Sequence, residues 1–239
     1  MKPVKLILAV LLLIFSAEGC KKDKREWLLP IKPEHFLSAK KFESLTIEIT
    51  YVDGHQPTEV ALTNLKNFLN DRLNKPGGIN YVYKSISSPG KSAYSIEDLR
   101  QIEKDHRASY SKHKNLVAFV FFADAQYSDG NVLGIAYGNS SVGVFEKSID
   151  DHSGGIGQPQ KNILETTVLE HEFGHLMGLV DNGTDMVTAH NADGKHCNNE
   201  NCLMYYAVET SDIMANIIGG SVPDLDNNCL ADLRKNGGK

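Results

Sequence analysis

Apolar and polar positions along the chain follow two alternating periods. Residues 45–52, LTIEITYV, switch between apolar and polar at nearly every step, the period of a half-buried strand. Asp53-Gly54 ends that run. Residues 58–73 change to a helical period, with Val60, Leu62, Leu65, Phe68, Leu69 and Leu73 on one stripe. Pro76-Gly77-Gly78 stops the helix. Residues 79–86, INYVYKSI, alternate again as a second strand. Residues 95–112 predict a second helix, opened by Ser95 and Asp98 at the spacing of a capping pair. Residues 116–123, LVAFVFFA, are apolar throughout and of strand length, as in a strand buried on both faces. Residues 132–146 hold apolar pieces broken by Gly138-Asn139-Ser140-Ser141, which predicts a bent or edge strand. A loop at 154–159 precedes a third helix over 162–179. Loop-rich sequence then leads to Tyr206, a short helix near 208–218 and a last helix near 224–233. Strands interleaved with helices in this order predict an α/β (α+β) domain, a sheet layered with helices.

The chain has 239 residues, 41% of them hydrophobic, enough for one domain with its own core. Its formal charge of -5 offers no basic face for nucleic acid. The first residues read as a targeting segment: Lys2 and Lys5 flank the start of an apolar run over 6–15, too short to span a bilayer. SAEG and Cys20 follow. The expected organisation is a signal peptide over 1–19, a tether over 20–40 and a single domain over 41–236. Pro30 and Pro33 discourage a helix in the tether. A cysteine just after small residues resembles the lipobox of bacterial lipoproteins, where that cysteine carries lipid. Glu18 departs from the pattern, as does the lack of a leucine three before Cys20. The resemblance implies export to a bacterial cell envelope and a membrane anchor through Cys20. Export places Cys197, Cys202 and Cys229 in an oxidising compartment, where three thiols allow one bridge and leave one over.

The chemistry concentrates in residues 167–183, TVLEHEFGHLMGLVDNG. A helix puts positions four apart on one face, so His171 and His175 can aim two imidazoles at one point. A catalytic zinc takes three protein ligands and keeps a position for water. Glu172 stands about 100° round the helix, placed to take a proton from that water rather than to ligate.

This stretch resembles the metzincin metallopeptidases, whose pattern is H-E-x-x-H-x-x-G-x-x-H followed by a Met-turn. Gly178 has the family's spacing, and the third-ligand slot then falls on Asp181 rather than a histidine. Residues 196–204, HCNNENCLM, resemble the archaemetzincin branch, in which the histidine before the first cysteine is the third ligand. His196 would then be that ligand, after an insertion over 179–195, and Met204 the Met-turn methionine. Asp181 and His190 stay open as alternatives, although Asp181 also sits in an ordinary turn sequence. The branch uses cysteines for a second metal with a downstream C-x-x-C. Only Cys229 lies downstream here, so the expectation is one catalytic zinc and a local Cys197–Cys202 disulfide. The resemblance also implies that Tyr206, two residues past Met204, would donate to the developing oxyanion.

The resemblance implies a metzincin-like mixed, twisted sheet with an active-site helix and a small helical C-terminal subdomain. It also implies a monomeric zinc endopeptidase that takes peptide or protein substrates by strand addition along residues 133–144. Two other readings fit the same motif: a zinc amidase acting on cell-wall peptides, and a non-catalytic lipoprotein that binds peptides or glycans.

Overall fold

The computed structural model describes residues 30–130, 132–192, 194–210, 217 and 220–239. Cys20, the signal peptide and most of the residue 208–218 segment lie outside the described residues. In chain order the elements are α1 (Pro33–Leu37), β1 (Ser44–Val52), α2 (Glu59–Arg72), β2 (Ile79–Ile86), β3 (Ala93–Tyr94), α3 (Ile96–His106), β4 (Asn115–Ala123), β5 (Gln126–Tyr127), β6 (Gly134–Tyr137), β7 (Ser141–Phe145), α4 (Glu146–Asp151), α5 (Lys161–Leu176), β8 (Asn191–Ala192), β9 (His196–Cys197) and α6 (Asn227–Lys235). A 3-10 turn, Tyr206–Glu209, overlaps the first two residues of the short helix predicted near 208–218.

The main sheet has five strands in the order β2-β1-β4-β7-β6. The first four are parallel and β6 is an antiparallel edge. This is the mixed sheet with helices that the sequence predicts. β4 is central because it can be buried on both faces. Leu116, Ala118, Val120 and Phe122 join the core beneath α2 and α5, while Phe119, Phe121 and Ala123 pack with Leu99 and Ile102 of α3 on the other side. Each such aliphatic or aromatic side chain stabilises the fold by roughly 1.5–3 kcal/mol. The stretch over 132–146 is more than one bent strand. It folds into the hairpin of β6 and β7 and then into α4, with β7 wholly buried in the sheet and only β6 at its edge.

Two departures concern the ends of elements. The helix predicted over 95–112 stops at His106, and Val60 lies off the buried stripe of α2, half-exposed. More consequentially, the segment read as tether folds from residue 33 onward. Pro33 opens α1, where a missing backbone N–H costs nothing. Phe36 and Leu37 are fully buried. The Lys75 ammonium donates to the carbonyls of His35 (2.7 Å), Ser38 (2.7 Å) and Phe42 (2.8 Å), fastening this segment to the end of α2. Pro33 also seats against the turn after α5, at the spot that a Cβ on Gly178 would fill.

α5 is fully enclosed: its thirteen residues from Leu164 to Leu176 are all buried. Its first turn is held by charge. Lys161 pairs with Glu146 at 2.7 Å and with Asp150 at 2.7 Å, and lies 3.7 Å from Glu165. Glu165 in turn accepts from the backbone N–H of Thr58 at 2.9 Å and from the Thr58 hydroxyl, tying α5 to the N-cap of α2. Burial, and next the neighbouring Glu165 carboxylate, push the Glu146 carboxyl from an ordinary 4.5 up to about 8. A carboxyl raised on folding holds its proton more tightly in the folded chain. Its stabilising contribution is whole below about pH 4.5 and is lost as pH rises through about 8. Thermal melts of the Glu146→Gln variant are therefore expected to decline less between pH 5 and 8 than those of the parent chain. A variant that declines as steeply would place the pH dependence elsewhere.

Candidate metal centre

The residues of the helical motif meet a second segment of chain beneath α5. His171 lies in the last two turns, fully buried, and its Nδ1–H donates to the Leu203 carbonyl at 2.7 Å. That bond fixes the tautomer and leaves Nε2 with its lone pair. His175 Nε2 lies 3.0 Å from His171 Nε2. His196, in β9, completes the group: its ring stacks on that of His171 with centroids 5.4 Å apart and meets that of His175 at 5.2 Å. One nitrogen from each of the three histidines falls within a 4.8 Å span. Burial, and next the nearby His196, push His175 down to about 3, so its imidazole is neutral at ordinary pH, the form that a metal takes. Three converging imidazoles, that of His171 with a fixed tautomer, fit the donor set and spacing of a zinc ion.

The two alternatives for the third position go elsewhere. After α5 the chain turns through Gly178 at φ 83 and then through Val180 at φ 54 and Asp181 at φ 61, two non-glycine residues in the left-handed region. Such backbone costs on the order of 1 kcal/mol per residue and is held only by its surroundings. The turn carries Asp181 out to solvent, where its carboxylate lies 3.7 Å from Lys195 and its carbonyl accepts from the same ammonium. His190 is buried in a separate group, described below.

Two glycines that spacing alone does not single out make room for the site. A Cβ on Gly174 would come 2.3 Å from the sulfur of Met204, so the absent side chain is what lets the buried thioether press against α5 between His171 and His175. A Cβ on Gly134 would come 2.5 Å from Val168 and 3.1 Å from the Glu172 side chain. Edge strand β6 can therefore pass directly over the buried Glu172 carboxylate. Tyr206 stands at the surface, 38% exposed, its ring 4.7 Å from that of Tyr205.

The cysteines correct an expectation. Cys197 and Cys202 are free thiols, and Cys229 is not left over: its sulfur lies 3.7 Å from that of Cys202. The thiols converge because α6 returns to β9, with Asp226 capping α6 through the Cys229 N–H at 2.9 Å. His190 Nδ1 approaches the Cys197 sulfur at 3.4 Å while its Nε2 pairs with the buried Asp232 carboxylate at 2.9 Å. His190, Cys197, Asp226 and Cys229 place donor atoms within 4.8 Å of one another. The backbone N–H groups of Met204 and Asp226 both donate to the Cys202 sulfur at 3.4 Å. Hydrogen bonds with Cys197 and then Cys229 hold the Cys202 thiol down at about 4 despite its burial. Parity of three cysteines suggests one bridge. What it misses is the histidine from the 179–195 segment, which rounds off a mixed nitrogen–sulfur donor set.

Replacing Gly174 tests the packing under the imidazoles. Helix preference alone favours alanine by about 1 kcal/mol. Forcing a methyl against a buried thioether costs about 1–3 kcal/mol. Gly174→Ala is expected to lower Tm by about 2–6 °C and to weaken zinc retention in metal analysis. A raised Tm with zinc retention unchanged would contradict the contact.

No family model matches the chain, and no curated protein does. Solved structures do. Archaemetzincin from Methanopyrus kandleri superposes with a TM-score of 0.54 at 15% sequence identity, over 81% of this chain and 96% of that one. Metalloproteinase-II from Bacteroides fragilis matches at a TM-score of 0.48 and 16% identity, over 90% of this chain and 58% of that one. At these identities the likeness of the archaemetzincin structure is one of fold, and this chain has an archaemetzincin-like fold.

Proposed function

We propose that the chain is a zinc metalloendopeptidase. The observation that carries this reading is the convergence of three buried imidazoles beside a buried glutamate on the same helix. His171, His175 and His196 would hold the ion, with Asp181 and His190 outside its reach. A zinc ion held there would supply Lewis acidity, to polarise the scissile carbonyl and acidify water. Glu172 takes the proton from the attacking water and hands it to the leaving amine. Gly134 leaves the outer edge of β6 close to that carboxylate, so an extended peptide added to this edge has its scissile bond brought over Glu172. Tyr206 enters on its spacing from Met204 as the donor to the oxyanion.

The thiol group favours a further component of this reading. His190, Cys197, Asp226 and Cys229 suit a second, structural metal ion, with Asp232 orienting His190 and Cys202 beside Cys229. Its role would be to hold β9, and with it His196, in place. The reading keeps export and a lipid on Cys20, which rest on the sequence alone, and a peptide or protein as substrate.

A mixed peptide library separates this reading from its rivals. The chain is expected to cleave it, and a chelator to abolish the cleavage. Glu172→Ala should lower the rate about 10²–10⁴-fold, and Tyr206→Phe should lower kcat about 10²-fold. A folded, zinc-loaded chain that cleaves only cell-wall peptides would point to an amidase. One that binds peptides and cleaves none would point to a binding lipoprotein.

A further inference from the structure

The N-terminal segment between the expected anchor and the domain does more than connect them. Beside His175 lies a pocket of about 170 Å³. Its floor is His175 and Leu176 at the end of α5, and one wall is Ala136, Gly138 and Asn139, where β6 ends. Asn182 closes the turn side, its Nδ2 donating to the His175 carbonyl at 3.1 Å. The remaining wall comes from residues that precede the first strand: Ile31 and Pro33.

That wall is built, not incidental. Pro33 rests on the two glycines of the turn after α5: a Cβ on Gly178 would come 2.6 Å from it, and one on Gly183 would come 3.0 Å. Immediately after it, α1 is buried and Lys75 clamps three of the carbonyls that follow. Pro33 is therefore held against the turn that follows α5, and Ile31 adjoins it in the pocket wall. On the opposite side, Gly134 and Ala136 share one face of β6. The first lies over Glu172 and the second lines the pocket. A peptide extended along β6 with its scissile bond over Glu172 then carries a neighbouring side chain to the pocket mouth.

We propose that this pocket is a side-chain subsite of the cleft, that it takes a short, uncharged residue flanking the scissile bond, and that Ile31 sets its depth. The proposal rests on the peptidase reading above. The size limit follows from the small volume. Neutrality follows from the lining: two carboxamides, a proline, aliphatic groups and an imidazole include no charged side chain to pair with, and burying an unpaired charge is costly. The segment thus makes specificity depend on the chain that leads from the anchor into the domain.

The test profiles the full chain and two variants against peptide libraries randomised at each position around the cut, with zinc content and Tm measured alongside. Ile31→Ala opens the pocket. It is expected to shift preference toward larger side chains at one position only, by about tenfold or more in kcat/KM, the scale on which single methylenes are discriminated. Ala136→Leu narrows the same pocket from the other wall and should shift the same position the opposite way. Ile31 is only partly buried, at the margin of the core and before α1, so its truncation is expected to lower Tm only slightly and to leave zinc content unchanged. Cleavage by the parent chain with profiles unmoved in both variants, or moved at different positions, would overturn the subsite and leave the peptidase reading standing. Failure of the parent chain to cleave, with no peptide bound by Glu172→Ala in fluorescence polarisation, would overturn the reading and the subsite together.

Discussion

The packing of Met204 against the bare backbone of Gly174 sets where the strip of chain over 196–204 meets α5. Everything that the site needs is registered to that contact. One residue before it, the Leu203 carbonyl fixes the His171 ring. Two residues before it, Cys202 reaches α6 through Cys229 and accepts the Met204 N–H. The Cys197 N–H donates to the Met204 carbonyl at 2.6 Å, which seats His196 against the helix. A side chain at 174 would push this whole strip of chain away from α5 and separate His196 from its partners.

The fully enclosed α5 explains why so much of the remaining structure is polar bookkeeping at the helix ends. A helix buried on every side cannot rely on water for its charged and terminal groups. Lys161 gathers Glu146, Asp150 and Glu165 at one end. At the other end Gly178, Val180 and Asp181 accept left-handed backbone so that the chain can leave without crossing the imidazoles. The insertion that follows comes back twice, first with His190 to the thiols and then with His196 to the helix.

Much of this was legible in advance where a local pattern decides the outcome. The i, i+4 spacing of His171 and His175, the continuous apolar run of β4 and the stop signals after α2 all act within a few residues of themselves. The third imidazole was harder. Counting from Gly178 points to Asp181, whereas the chain carries Asp181 to solvent and brings His196 back to the helical pair after the seventeen residues 179–195. Sequence separation says nothing about where such a path returns. The cysteines misled for a related reason, because parity suggests a pair while tertiary packing gathers all three. α1 is hidden because Pro33, a breaker inside a helix, sits at the first helical position, where it is tolerated, and Phe36 and Leu37 are the apolar pair that docks it. Glycines 134 and 174 carry no signal except against the side chains that they admit.

The most direct measurement is a crystal structure of the zinc-loaded chain with anomalous data collected at the zinc edge. The account predicts a peak about 2.0–2.1 Å from one nitrogen each of His171, His175 and His196, with the Glu172 carboxylate facing the open position. A peak coordinated by Asp181 or His190 together with the helical histidines would contradict it, as would a zinc-loaded chain with no density among the three imidazoles.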